Sequence, residues 1–197
     1  DEIHTTIQNI MPEVLAKDET AEAFLSGGVD SSYVVAVSDV KMTDSCGYEE
    51  ERFDESGLAK QTADILHREN RRCLITPEMY FEIVPYVMYE MEQPLADASA
   101  IAFAIACRET AKHTKICYSG EGSDEFFGGY NMYRNATRYG DNLKTFYVGN
   151  TNIMKEDEKK RILKHYNENV LPIHLVKDIY EEIEGLDPLS KMSDIDI

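Results

Sequence analysis

The chain has 197 residues and a net charge of −17, which argues against a surface made for DNA or RNA phosphates but not against a small local anion site. Its hydrophobic content of 43% is ordinary for one sizeable domain, or for one with a small appendage. There is no signal peptide and no apolar run of the ~18 residues that a membrane span needs, so no membrane role is expected.

In chain order, Ile3, Ile7, Ile10, Met11, Val14 and Leu15 recur at helical spacing. An apolar run over 21–25 is the first expected strand, followed by a Ser/Gly loop and a helix over 31–37. A short second strand over 42–46 is ended by Gly47. The acidic run Glu49, Glu50, Glu51 reads as a solvated loop. Asp54 or Ser56 is placed to cap a helix whose face carries Leu58, Ala59, Thr62, Ile65 and Leu66. A third strand over 72–75 leads to Thr76 as N-cap and Pro77 at the first helical position, with Pro85 expected to kink or split the helix that follows. The segment 100–107 is apolar nearly all round and is expected to be buried on most sides. Residues 115–118 form a fourth strand.

Strands alternate with helices to about residue 120, the mark of an α/β, doubly wound parallel sheet with helices on both faces. Beyond Gly129 only helical patterns follow, over 131–139, 156–166 and 171–183. The expected division is an α/β core over 1–130 and the start of a helical lobe over 131–197. The four cysteines form no Cys-x-x-Cys pair and join no histidine cluster, which disfavours zinc. They sit in apolar runs, as buried free thiols do, and point to a reduced, cytoplasmic protein.

Two loops carry the chemistry. Residues 25–32 read Leu-Ser-Gly-Gly-Val-Asp-Ser-Ser, between a strand and a helix. Glycines let the backbone approach a ligand, and the first N–H groups of the helix point into the loop. Ser26, Ser31 and Ser32 add hydroxyls. Asp30 suits a phosphate cradle only beside a hard cation such as Mg²⁺. The loop lacks the lysine of a Walker A motif and the Gly-x-Gly-x-x-Gly of dinucleotide folds. The second loop, Ser-Gly-Glu-Gly-Ser-Asp-Glu-Phe-Phe-Gly-Gly-Tyr over 119–130, puts three acids within five residues directly after the fourth strand. Asp124 is placed to share a metal with Asp30 if the two strands are neighbours, and Glu121 to face a substrate. Alone, each loop also reads as a plain turn.

Together the motifs are specific. Phe-Leu-Ser-Gly-Gly-Val-Asp-Ser-Ser over 24–32, Asp-Glu-Ser over 54–56, Gln-Pro-Leu-Ala-Asp-Ala-Ser-Ala-Ile over 93–101 and the 119–130 loop resemble the synthetase domain of glutamine-dependent asparagine synthetases. These are ATP pyrophosphatases with an SGGxDS loop and an adenine nucleotide α-hydrolase-like fold. The resemblance covers essentially the whole chain. It implies ATP and Mg²⁺, with aspartate converted through β-aspartyl-AMP to asparagine by ammonia from a glutaminase domain missing here. By the same resemblance, Ser26, Gly27, Gly28, Asp30, Ser31 and Ser32 belong to the loop that holds pyrophosphate. Leu25, Cys46, Ser119 and Gly120 contact the nucleoside. Asp30 and Asp124 hold Mg²⁺, and Glu121, pictured as a buried glutamate, assists formation or breakdown of the adenylate. No nucleic-acid or membrane partner is implied, and a homodimer is compatible.

The chain departs from the family at Cys46, where a small aliphatic residue is usual, and at Asn70-Arg71-Arg72, where a His-rich stretch is common. It begins at Asp1 and lacks the family's later helical segment, with its phosphate-binding lysine, and the SxExRxPFxD-type motif. It therefore reads as a truncated domain expected to make no asparagine alone, even with free ammonia. Rival readings are a β-lactam synthetase-like enzyme, which closes a ring on the same scaffold, and a nucleotide-binding fragment without catalysis. The acidity disfavours a tRNA-modifying ATP pyrophosphatase.

Overall fold

A parallel sheet buried on both faces needs strands whose alternate residues serve different layers. The computed structural model describes residues 2–15, 20–92, 98–131 and 156–169. Its strands are β1 (Glu22–Phe24), β2 (Met42–Tyr48), β3 (Glu69–Ile75) and β4 (Cys117–Tyr118). All pair in parallel, in the order β3-β2-β1-β4. The described residues fall into two compact units, Asp1–Glu121 and Gly122–Ile197. The first holds the sheet with α1 (Glu2–Val14), α2 (Val29–Val37), α3 (Ser56–Ile65), α4 (Pro77–Glu90) and α5 (Ala98–Thr110). The second, taken by itself, contains α6 (Ser123–Phe127) and α7 (Glu156–Ile162).

The register assigns each face. Ala23 pairs with Thr43, and Thr43 with Asn70, so these residues share one face. On it, Ala23 and Leu25 pack with Val35 of α2 and with Ala59 and Ala63 of α3. On the other face Ile75 packs with Ile83 and Val87 of α4 and Ile101 and Ile105 of α5, with Cys46, Tyr48 and Cys73 against them. The expected doubly wound α/β sheet is what the chain forms.

Several local expectations need correction. Gly47 lies inside β2 rather than ending it, and β3 begins at Glu69, three residues before the expected start. Side-chain pairing explains the polar extension of β3. Asn70 Nδ2 donates to Thr43 Oγ1 at 2.9 Å, and its Oδ1 accepts from Ser45 Oγ at 3.0 Å. α4 runs unbroken through Pro85. Pro85 and Phe81, whose carbonyl loses its partner to the proline, are both exposed, so water can satisfy that carbonyl. Thr76 caps α4 as expected, its hydroxyl accepting from Met79 N at 3.3 Å.

α3 buries Ser56, Ala59 and Ala63, while Leu58 and Ile65 are exposed. Small residues let this helix approach the first loop closely, and larger ones are turned outward. α5 is covered on most sides as expected, with Phe103 and Cys107 exposed. The four cysteines are free; Cys107 is exposed and the other three are half-buried, which corrects the expectation of four buried thiols. α1 buries no residue fully; of its apolar positions Ile7 and Met11 are half-buried and the rest are exposed. The helix expected over 156–166 stops at Ile162. Those expected over 131–139 and 171–183 lie outside the described residues, apart from Asn131.

One ionic cluster crosses three strands on the α4/α5 face. Arg71 of β3 pairs with Asp44 of β2 through Nε–Oδ1 at 2.7 Å, and its Nη2 pairs with Glu22 of β1. Both acid side chains are only 10% exposed, and one guanidinium serves two of them. Burial, then the neighbouring Asp44, pushes the Glu22 carboxyl up from 4.5 to about 7, against the pull of Arg71. The folded chain therefore holds a proton there that the unfolded chain releases between these values. Relative to a Glu22→Gln variant, the natural chain should lose roughly 2 kcal/mol of stability as pH rises from 5 to 8. Urea unfolding at both pH values checks this; equal pH dependence in the two proteins would contradict it.

Candidate functional site

The strand order reverses beside β1, with β2 and β3 on one side and β4 on the other. Ligands of such sheets bind beyond the carboxyl ends of the strands at this reversal. The loop after β1 and the start of the loop after β4 both emerge there.

The first loop is shaped by its glycines and closed by its serines. Gly27 has φ +86°, and a Cβ on it would sit 2.7 Å from Leu58 Cβ and 2.9 Å from Ala59 N. Both the backbone conformation and the approach to α3 demand glycine. Ser26 Oγ lies 3.0 Å from Ser31 Oγ and accepts from Gly28 N at 3.2 Å. Ser32 Oγ donates to Gly28 O at 2.6 Å. Gly28 is the N-cap of α2 and supplies no side-chain cap. The first amides of α2 thus have no intrahelical acceptor, and they face the same end of the sheet. Asp30 lies in that first turn and is exposed.

The second loop meets the first at Gly120. A Cβ there would lie 2.7 Å from Ser31 N and 2.9 Å from Asp30 C. The backbone after β4 therefore rests on the first turn of α2, an approach that any side chain at 120 would block. Ser119 Oγ accepts from Glu121 N at 3.1 Å and folds the chain back at this point. Glu121 is exposed rather than buried, because it sits on the rim of the sheet end.

Asp124 belongs to the second unit. It lies in α6, whose flanking glycines Gly122 and Gly128 both have positive φ, at 88° and 65°. A Cβ on Gly129 would overlap the Asp124 carboxylate, and Gly129 N donates to Asp124 O at 3.0 Å. The acid-bearing turn is thus closed by glycine on its own unit.

Two of the expected nucleoside contacts look different in place. Leu25 is 1% exposed and packs in the core, so it offers the site its backbone only. Cys46 is half-buried on the α4/α5 face, where it lines a cavity of about 310 Å³ with Phe24, Asp44, Cys73, Met79 and Ala106. Burial and the adjacent Cys73 push its thiol up to about 12, so it stays protonated and acts as an apolar wall. Sequence reasoning missed Arg72. Its Nη2 pairs with Asp54 Oδ2 at 2.9 Å, directly over Gly47. A basic residue following a strand-interior glycine on the neighbouring strand is a signal visible only once the register is known.

Among the described residues, no three His, Cys, Asp or Glu side chains converge to hold a metal. Mg²⁺ usually binds one or two carboxylates together with substrate phosphates rather than an all-protein cage. An exposed Asp30 beside unpartnered helix amides fits that donor set.

Residues 2–191 match the asparagine synthase family model. The chain belongs to that family. It is 32% identical, over its whole length, to asparagine synthetase [glutamine-hydrolyzing] 1 of Bacillus subtilis, and covers 37% of that protein. A putative asparagine synthetase [glutamine-hydrolyzing] of Mycobacterium tuberculosis is 24% identical, again over the whole chain and 36% of the relative. The chain thus spans little more than a third of these relatives. Among solved structures, an NH3-dependent NAD synthetase from Campylobacter jejuni matches 98% of this chain and 88% of its own, with 14% identity and a TM-score of 0.41. Among the described residues no helix is long and apolar enough to cross a membrane.

Proposed function

We propose that this asparagine synthase chain carries the nucleotide-binding part of an ATP-dependent amidation of aspartate. The observation that supports the reading is the rest of Gly120 against the first turn of α2, at the strand reversal, where the start of the second motif lies beside the first. The aspartate side-chain carboxylate attacks the α-phosphorus of ATP, and pyrophosphate leaves with the electrons of the broken P–O bond. Ammonia then adds to the acyl carbon of β-aspartyl-AMP. The acyl C–O bond breaks, AMP leaves, and the excess proton passes to a base.

The chain's residues divide this work. Ser26, Gly27, Gly28, Ser31 and Ser32, with the first amides of α2, hold pyrophosphate and oppose its growing charge. Their hydroxyls and the Gly28 N–H already point at one another, so an incoming phosphate exchanges internal hydrogen bonds for stronger charge-assisted ones. Backbone at Leu25, Ser119 and Gly120 and the neutral wall of Cys46 accept the nucleoside. Asp30 would hold Mg²⁺, with Asp124 as the further ligand that the family resemblance implies, and the ion would neutralise phosphate charge. Glu121 on the rim accepts the proton from the attacking ammonia. The division into a core over 1–130 and a helical lobe over 131–197, ammonia delivery from a glutaminase domain, and a cytoplasmic location are parts of the same proposal.

In the complete protein, Asp30→Asn should weaken Mg²⁺-dependent ATP binding roughly 10–100-fold, the range typical of altered metal sites. Calorimetry with ATP, with and without Mg²⁺, measures this. An unchanged Mg²⁺ dependence would remove Asp30 from the metal site.

A further inference from the structure

The chain's own departure from the family's usual stretch before the third strand leads back to the nucleotide loop. We propose that Arg72 and Asp54 are positioning residues that set the 26–32 loop through the N-terminus of α3. This rests on the reading of that loop as the nucleotide site.

The linkage can be followed atom by atom within the first unit. Arg72 projects from β3 on the α2/α3 face and crosses over Gly47 of β2 to reach Asp54. The crossing requires glycine, since a Cβ at 47 would stand 2.5 Å from Arg72 Nε and 2.7 Å from Asp54 Oδ1. Asp54 Oδ2 takes the guanidinium at 2.9 Å, while Oδ1 accepts from Ser56 N at 3.1 Å. Ser56 is the first residue of α3, and the N-cap Glu55 gives no side-chain cap. Asp54 therefore supplies the missing acceptor from outside the helix. One turn on, Leu58 and Ala59 form the surface against which Gly27 is pressed in its positive-φ conformation. A shift of this helix end must displace Gly27 or the loop that follows it.

The electrostatics favour a geometric role over a stabilising one. The Arg72 and Asp54 side chains are 45% and 21% exposed, and exposed ion pairs add little to folding. Hydrogen bonds from Ser56, with Arg72 beside them, hold the Asp54 carboxyl below the usual carboxylate range, so it stays an acceptor at neutral pH. A pair that contributes little to stability but fixes a helix end beside a tight loop can be broken without unfolding the sheet.

The test uses Arg72→Met, which removes the charge, and Gly47→Ala, which forces the pair apart with both charges present. Arg72→Lys is the conservative variant. In the complete protein without nucleotide, amide hydrogen exchange at Ser26, Gly28 and Ser32, whose N–H groups are hydrogen-bonded within the loop, should rise about tenfold in the first two variants. Exchange in α5 should stay as in the natural protein, and Arg72→Lys should restore most of the protection. Mg-ATP affinity by calorimetry should fall about tenfold in the same two variants, with thermal midpoints within a few degrees of the natural protein. Unchanged loop exchange in both variants would overturn the proposal. So would a rise in exchange that is uniform across the sheet and tracks a fallen midpoint. A natural protein that fails to bind Mg-ATP would instead overturn the nucleotide reading, and loop exchange alone would still decide the role of Arg72 and Asp54.

Discussion

Glu121→Gln in the complete protein should abolish most asparagine formation while leaving Mg-ATP affinity within a few-fold of the natural value. Glutamine keeps the size and hydrogen-bonding reach of the side chain but cannot accept the proton that ammonia must lose. Loss of one positioned acid–base group costs ~10²–10⁴-fold in rate. Gly120 makes the close approach to α2, and Glu121 follows it on the exposed rim. Steady-state assays with ammonium, run beside calorimetry, distinguish the two effects. Full activity in Glu121→Gln would remove its catalytic role, and a parallel loss of ATP affinity would reassign it to binding.

Arg71→Met should be the most destabilising single change in the sheet. Methionine keeps much of the aliphatic volume but leaves Glu22 and Asp44 facing each other, each 10% exposed, with no cation between them. Removing one partner of a buried ion pair costs about 3–5 kcal/mol, because the remaining charge is stranded. The loss should be greatest near pH 8. It should shrink toward pH 5, where Glu22, already pushed up to about 7, takes a proton and relieves the repulsion. Urea unfolding at the two pH values reads this directly. A cost below about 1 kcal/mol at pH 8, the level of an exposed pair, would show that the cluster is effectively solvated.

The parts of this fold that rest on hydrophobic alternation and turn chemistry were legible in the sequence. The parallel α/β sheet, the loop at 26–32, the cap at Thr76 and the second loop after the fourth strand all follow from local patterns. The polar interior was not legible. Glu22, Asp44, Asn70 and Arg71 carry no local sign of burial, because each is charged or polar by itself. They are tolerable inside only as partners across strands, and partners are set by register rather than by neighbours in the chain. Gly47 misled for the same reason. A glycine at a strand end is the commoner reading, whereas here it makes room for Arg72 to cross. Of the expected helical face Ala59 is buried, as Gly27 packs against it, but Leu58 and Ile65 are exposed and Ala63, outside that face, is buried. At the site, the approach of the two glycine loops was expected from their acids and their places after strands. The spot where they touch, Gly120 on Ser31, depends on β4 lying beside β1. That neighbour relation comes from the crossover through α4 and α5, and no local motif records it.

The central claim is that ATP is consumed by attack of the aspartate side-chain carboxylate at the α-phosphorus. It is tested most directly by giving the complete protein Mg-ATP, ammonium and aspartate labelled with oxygen-18 in the side-chain carboxylate, and examining the products by mass spectrometry. The account predicts asparagine and AMP in equal amounts, with one labelled oxygen transferred to each AMP and none to pyrophosphate. Unlabelled AMP, or release of ADP and phosphate in its place, would contradict it.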